Sequence, residues 1–259
     1  MKKVTVSGFS FYQFDIFEPF SHEIVHGVFP RGECDSLNVS FEHGELSEVL
    51  KHRKIICNAL NFLSSSDSSS SGYSFSLISA KQTHSDHITC ITEPKNILHP
   101  DDEISDTDSF ISNCPQILLM VKTADCQPIL IYDPAQHVVA NVHSGWRGTV
   151  QNIVGKTVLR LISDFGSMAN DLLVGIGPSL SHCCSEFSER DRDFKGFESY
   201  FLSDNKVDLK KITLDQLREI GVFSIECSDI CTKCFQGDFF SYRGDRPDRG
   251  RFASIIGKV

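Results

Sequence analysis

Two short segments concentrate residue types that bind metals, move protons and hold anions: Thr123-Ala124-Asp125-Cys126 and His143-Ser144-Gly145-Trp146-Arg147-Gly148. A thiol and an imidazole in one site can share a metal ion or form a Cys–His nucleophile pair. The residues between them decide whether the two can meet. Pro128-Ile129-Leu130-Ile131-Tyr132 is an apolar run, Asp133-Pro134-Ala135-Gln136 carries turn residues, and His137 to Val142 is a second run rich in β-branched residues. This is a hairpin pattern. A turn centred on Pro134-Ala135 sets Cys126 opposite His143, with Cβ atoms about 5 Å apart. A slip of one or two residues leaves both at the same end.

Other polar clusters are candidates to complete the site. His143 ends a strand and Gly148-Thr149 opens a helix, so Arg147 lies beside a helix N-terminus, where backbone donors favour an anion such as phosphate. The same residues serve equally as a strand–turn–helix corner with Arg147 in a surface ion pair. Near the C-terminus, Arg243, Arg246, Arg249 and Arg251 crowd nine residues of an acidic chain. They suit an oxyanion pocket or, with Asp245 and Asp248, a solvated charged loop. His26 to Gly32 joins His26, two glycines and Arg31 in a third cluster. His84 would make Cys126 and His143 a three-ligand set with an open fourth position. His87, three residues on, competes for that place.

The elements that must position these residues follow from periodicity. Val4 to Phe11 alternates like one strand, and Gln116 to Val121 reads as a central strand. Leu46 to Leu63 has helical spacing. Thr149 to Phe165 is the clearest helix, with Thr149 as N-cap and Gly166 as stop. Asp171 to Ile176 is a further strand. Ser188 to Tyr200 and Leu214 to Ile220 are helix-prone. Ser64 to Ser76, dominated by serine, reads as a flexible surface loop. The class is α+β: a single domain, 1–259, of helices packed on a mixed, largely antiparallel sheet.

Of the 259 residues, 40% are hydrophobic and 23% charged, with net charge −9. That balance argues against general binding to nucleic acid or an anionic membrane. No apolar stretch follows Met1-Lys2-Lys3, and no run reaches the ~18 apolar residues of a membrane helix. The reading is cytoplasmic, with the ten cysteines reduced. Cys57, Cys90 and Cys114 sit in core-like contexts. Cys231-Thr232-Lys233-Cys234 is a C-x-x-C without a second one at zinc-ribbon spacing, and adjacent Cys183-Cys184 are awkward ligands for one ion, so these four read as thiols. No feature sets an oligomeric state, and a monomer is compatible with the chain.

The motifs, in this order, resemble a family first described as multicopper polyphenol oxidases or laccases, also called the peptidoglycan editing factor family and now read as purine nucleoside phosphorylases. The resemblance runs from about Val25 to the C-terminus. It rests on Gln82-Thr83-His84-Ser85, Thr123 to Cys126, His143 to Gly148, Gly175 to Pro178 with Cys183-Cys184-Ser185-Glu186, Cys231-Thr232, Phe239 to Arg243 and Gly250-Arg251. His26 to Arg31 and Leu37-Asn38 resemble its early pieces. The departures are Ser85 for glycine, Ser179 to His182 for a more regular turn, and a shortened glycine-rich stretch after Arg31.

The resemblance implies an α+β fold and zinc on His84, Cys126 and His143, copper being the weaker expectation. It implies phosphorolysis of adenosine and inosine, with adenosine deamination and methylthioadenosine phosphorolysis as related activities. The partners are then purine nucleosides and phosphate. In that scheme Arg147, with Arg31, Arg243, Arg251 and Asn38, holds substrate or phosphate. Cys126, His143, Asp125 and Arg147 are the catalytic candidates, and Asp125 and Glu186 the candidate proton shuttles, although Asp125 could simply orient its loop. A metal-free Cys126–His143 hydrolase or amidase, including one editing peptidoglycan precursors, is the alternative. A copper oxidase is weakest, because no His-x-His pair occurs. A non-catalytic binding module conflicts with the intact Cys-His-Trp-Arg set.

Overall fold

The computed structural model describes residues 1–6, 8–32, 37–64, 75–245 and 250–259. Most of the serine-rich segment, much of the stretch after Arg31, and Arg246 and Arg249 lie outside the described residues. The strands are β1 (Lys2–Val6), β2 (Phe9–Gln13), β3 (Ile24–Phe29), β4 (Ser76–Ile78), β5 (Ile88–Cys90) and β6 (Ser109–Ser112). They continue with β7 (Ile117–Thr123), β8 (Gln127–Asp133), β9 (Val138–Ser144), β10 (Leu173–Ile176), β11 (Ser224–Cys227) and β12 (Phe252–Lys258). The helices are α1 (Leu46–Ser64), α2 (Trp146–Val150), α3 (Ile153–Phe165), α4 (Arg190–Asp193) and α5 (Leu209–Ile220).

Among the described residues, two six-stranded sheets form, in the orders β1-β2-β3-β12-β7-β4 and β11-β10-β8-β9-β6-β5. Pairing is antiparallel except at β4–β7, β5–β6 and β10–β11. The continuous apolar runs of β7 and β8 are buried along their length, as strands covered on both faces must be. Ile117, Leu119 and Val121 of β7 join Leu130 and Tyr132 of β8 in the core between the sheets. Leu118 and Met120 face the opposite way and pack with Ile56 and Leu60 of α1. Ile129 and Ile131 pack with Val154, Val158 and Leu161 of α3 and Leu217 of α5. The order of layers is helix, sheet, sheet, helices. Buried Asn141 on β9 joins the sheets by donating to Leu119 O at 2.7 Å and Ser254 O at 2.8 Å.

Several local expectations change. The expected strand Val4 to Phe11 is two strands of a hairpin, β1 and β2, with Gly8 at φ +80° between them. The expected helix from Thr149 is two: α2 starts after Gly145, and α3 is capped by Asn152, whose side chain accepts the Gly155 N–H. Gly166 does end α3, in the left-handed conformation glycine tolerates best. Asp208 caps α5, which therefore begins earlier than Leu214. Only short helical turns, α4 and Glu198–Tyr200, occupy Ser188 to Tyr200.

The β8–β9 hairpin also departs from the expected register. Pro128, not Cys126, faces His143, and the pairing closes at Asp133 and Val138. Asp133 Oδ1 accepts the N–H groups of Ala135 and Gln136 at 2.8 and 3.1 Å, and His137 takes φ +51°. The side chain of Asp133 thereby builds a four-residue loop in place of a two-residue turn, moving the register by two. Cys126 comes level with Gly145. The segment Ala124–Cys126 is where the chain passes from the first sheet to the second, at one end of the sandwich.

Candidate active site

At that end, His84, Cys126 and His143 converge. Their ligand atoms lie within 4.8 Å of one another, and Cys126 Sγ is 3.8 Å from His84 Nε2. Gly145 makes this approach feasible. A Cβ there would stand 2.7 Å from His84 Cδ2 and 3.0 Å from Cys126 Sγ. His87 does not compete: it is exposed and pairs with Asp106 at 2.7 Å.

Asp108 organises the site and was not foreseen. It is wholly buried before β6. Its Oδ1 lies 2.6 Å from His143 Nδ1, which leaves His143 Nε2 as that ring's ligand atom. The same carboxylate accepts backbone N–H groups from Thr83, His84 and Ser85 at 3.1, 3.1 and 2.8 Å. These bonds hold His84 at φ +60°, a conformation that costs energy outside glycine. Burial alone would raise the Asp108 carboxyl. The hydrogen bond and charge of His143, with the Ser85 donors, instead hold it well below the usual carboxylate range.

The ionisation of the pair follows. Burial disfavours both charged forms. For Cys126 the His143 charge, with hydrogen bonds from His143 and His84, wins and brings the thiol down to about 6. For His143 the Cys126 thiolate and Asp108 overcome burial and raise it to about 9. These directions favour a thiolate–imidazolium pair in the metal-free site.

Asp125 takes φ +86° and has its carboxylate fully engaged. Thr232 Oγ and Ser241 Oγ donate to Oδ1 at 2.6 and 2.7 Å, and the Arg243 N–H donates to Oδ2 at 2.8 Å. Its geometry is that of a loop anchor.

The three residues open into a cavity of about 440 Å³. Arg147, Arg243, Arg251 and Lys122 bring positive charge to its wall, and Trp146, Phe187, Leu180 and Tyr242 bring apolar surface. Arg147 stacks on Trp146 at 4.3 Å and Arg243 on Phe187 at 4.8 Å. Arg31 and Asn38 are not among the lining residues. Arg31 donates to Gln236 O at 2.6 Å and pairs with Asp245 at 3.3 Å, because its own surroundings supply those acceptors. Asn38 accepts the Ser40 and Arg251 N–H groups at 3.0 and 2.9 Å, tying together two segments that do line the cavity. Glu186 is exposed, and its backbone carbonyl, not its carboxylate, accepts from Arg243. Beneath the cavity, Glu103 accepts from Lys122 at 2.6 Å, Ser79 at 2.7 Å and Arg53 at 3.0 Å. All four are buried. Their wide sequence separation hid this network.

The donor set suits zinc. Two imidazoles and a thiolate, one ring oriented by a carboxylate, form a three-ligand arrangement whose free side faces a cavity. Among the described residues, the potential metal-holding groups are this one and Cys183, Cys184, Cys231 and Cys234. No helix among them is long and apolar enough to cross a membrane.

Fold and site together define an α+β double-sheet protein with a His₂Cys centre in a cationic cavity. The model of the multi-copper polyphenol oxidoreductase laccase family matches residues 24–258, and the chain belongs to that family. It is 41% identical over 182 residues to a purine nucleoside phosphorylase of Clostridium acetobutylicum, covering 68% of this chain and 74% of that one. It is 29% identical over 238 residues to the purine nucleoside phosphorylase YlmD of Bacillus subtilis, covering 86% and 82%. YlmD from Geobacillus stearothermophilus superposes with TM-score 0.79 at 26% identity, covering 93% of both chains. The Bacillus licheniformis hypothetical protein YfiH also gives 0.79 at 26% identity, covering 90% and 92%.

Proposed function

We propose that this chain is a zinc-dependent purine nucleoside phosphorylase, converting adenosine or inosine and phosphate to free base and ribose 1-phosphate. The observation that carries the reading is the meeting of the His84–Cys126–His143 centre and three arginines in one cavity. Relatives bearing the name purine nucleoside phosphorylase support it.

In this reading a phosphate oxygen bonds to the anomeric carbon as the bond to the base nitrogen breaks, and that electron pair leaves with the base. Arg147, Arg243 and Arg251 bind phosphate and offset its charge beside the cation-like sugar. Trp146, Phe187 and Tyr242 offer the planar base aromatic surface. His84, Cys126 and His143 would hold zinc, which supplies Lewis acidity when bound. Asp108 orients His143, and Asp125 anchors the loop that presents Cys126. The free side of the centre also favours adenosine deamination as a secondary activity, and the family resemblance adds methylthioadenosine phosphorolysis.

The test is base release from inosine with and without phosphate. Phosphate-dependent release with ribose 1-phosphate as co-product is expected. Equal release in both conditions would exclude phosphorolysis. Release of ammonia from adenosine and of adenine from methylthioadenosine tests the secondary activities.

A further inference from the structure

The turn Cys231-Thr232-Lys233-Cys234 follows β11, and Cys183-Cys184 lie in the segment after β10, its parallel neighbour. The two segments are joined where Thr232 N–H donates to Ser179 O at 3.1 Å. We propose that Cys183, Cys184, Cys231 and Cys234 form a second metal site that takes one zinc ion as a tetrathiolate.

The geometry carries this. All four sulfurs lie within 4.8 Å of one another. Cys234 Sγ is 3.7 Å from Cys183 Sγ and 3.6 Å from Cys184 Sγ. A tetrahedron with Zn–S bonds of about 2.3 Å has sulfur–sulfur edges of about 3.8 Å. A disulfide needs about 2.05 Å, and all four cysteines are free. Adjacent cysteines were poor candidates in sequence. Here the Cys184 N–H closes a turn on Ser181 O at 2.9 Å, and both sulfurs reach Cys234. Core packing does not explain the convergence, since Cys183 and Cys234 are exposed while Cys231 is buried. The exposed side gives an ion its way in. Binding would join four thiolates to one Zn²⁺ and release as many protons as there are thiols to ionise.

The site's position gives it a role. The Cys183 segment carries Leu180 and Phe187 into the cavity wall, and Thr232 of the turn holds Asp125 at 2.6 Å. A zinc here staples the wall and the loop that presents Cys126. It is a structural site separate from the His84–Cys126–His143 centre, and it does not rest on the phosphorylase reading.

The experiment is zinc stoichiometry of the whole protein, of a Cys231→Ser/Cys234→Ser variant and of Cys126→Ala. The double variant should carry one zinc fewer than the unaltered chain. Cys126→Ala should retain the tetrathiolate ion, and its zinc X-ray absorption should show four sulfurs at about 2.3 Å. Equal zinc in the unaltered chain and the double variant, or a nitrogen and oxygen shell in Cys126→Ala, would overturn the proposal. Should the double variant not fold, maleimide labelling of the unaltered, metal-stripped protein gives the answer. Added zinc should protect all four cysteines, and labelling at an unchanged rate would refute the site. Both readouts hold whatever the protein does to nucleosides.

Discussion

Asp108 Oδ1 holds His143 Nδ1 at 2.6 Å across 35 positions of sequence, and the same carboxylate receives the backbone N–H of His84. One buried acid therefore orients the His143 ring and fixes the backbone that carries His84. Replacing it by Asn keeps the size but loses the charge and sets an NH2 donor against either His143 or the donors of Thr83 and Ser85. Loss of an outer carboxylate of this kind costs about 10- to 100-fold in metal affinity. The expected result for Asp108→Asn is a drop of that order in zinc affinity, read by competition with a chromophoric chelator. Unchanged affinity would mean that Asp108 only braces the loop.

That residue also shows where the sequence stops being readable. Cys126 and His143 were visible together because a hairpin is local, and a register error of two did not separate their ends. Asp108 reaches His143 only because β6 pairs with β9, and nothing in Asp106-Thr107-Asp108 says which acid turns inward. The same applies to the cations. Arg31 and Arg243 look alike as residues near glycine. Asp245 and Gln236 O engage the first, while the second reaches the cavity wall. The runs of β7 and β8 announced strands, but their lack of alternation is what two covered faces produce, and it gave no warning of a second sheet.

Among the described cysteines, Cys126 should keep its thiolate to the lowest pH in the metal-free protein. Its thiol sits at about 6 against an ordinary 9.0, so the thiolate is present above about 6 and is lost as pH falls through that value. Alkylation by iodoacetamide, mapped by mass spectrometry, should show a midpoint near there at Cys126, and zinc should suppress it. A midpoint close to 9 would contradict the thiolate–imidazolium pair.

Cys126→Ala separates the two chemistries open to this site. If Cys126 is a ligand, the variant loses zinc from the His84–His143 centre and loses activity, with urea unfolding little changed. If Cys126 is a nucleophile worked by His143 and Asp108, metal content stays and only activity goes. The first outcome is expected, because a metal-free hydrolase has no need of His84 at 3.8 Å from the sulfur.

The Glu103 network makes a prediction about stability. Glu103→Gln would leave Lys122 and Arg53 buried without their counter-charge, which costs about 3–5 kcal/mol. Burial raises the Glu103 carboxyl, but Lys122, Ser79 and Arg53 more than reverse this and hold it below its ordinary 4.5. Its stabilising contribution is then complete above 4.5 and is lost as pH falls through the lower folded value. Urea unfolding should show a large gap between unaltered and Glu103→Gln protein at neutral pH that narrows below about 4.5. A gap independent of pH would assign the loss to packing alone.

Arg147 tests the proposed chemistry. It lines the cavity, stacked on Trp146 and beside the His84–Cys126–His143 centre. If it holds phosphate through a charge-assisted hydrogen bond, Arg147→Ala should cost about 1.5–3 kcal/mol. That corresponds to a phosphate KM raised roughly 10- to 150-fold, while binding of nucleoside alone stays near its starting value. Arg147→Lys should recover only part, because a point charge cannot reproduce a two-pronged guanidinium. Arg31→Ala is the control. Its partners are Gln236 O and Asp245, so it should lower the unfolding midpoint and leave the phosphate KM far less affected. If Arg31→Ala instead raised the phosphate KM as much as Arg147→Ala, the division between cavity cations and loop supports would fail. If neither variant moved it, phosphate would bind elsewhere.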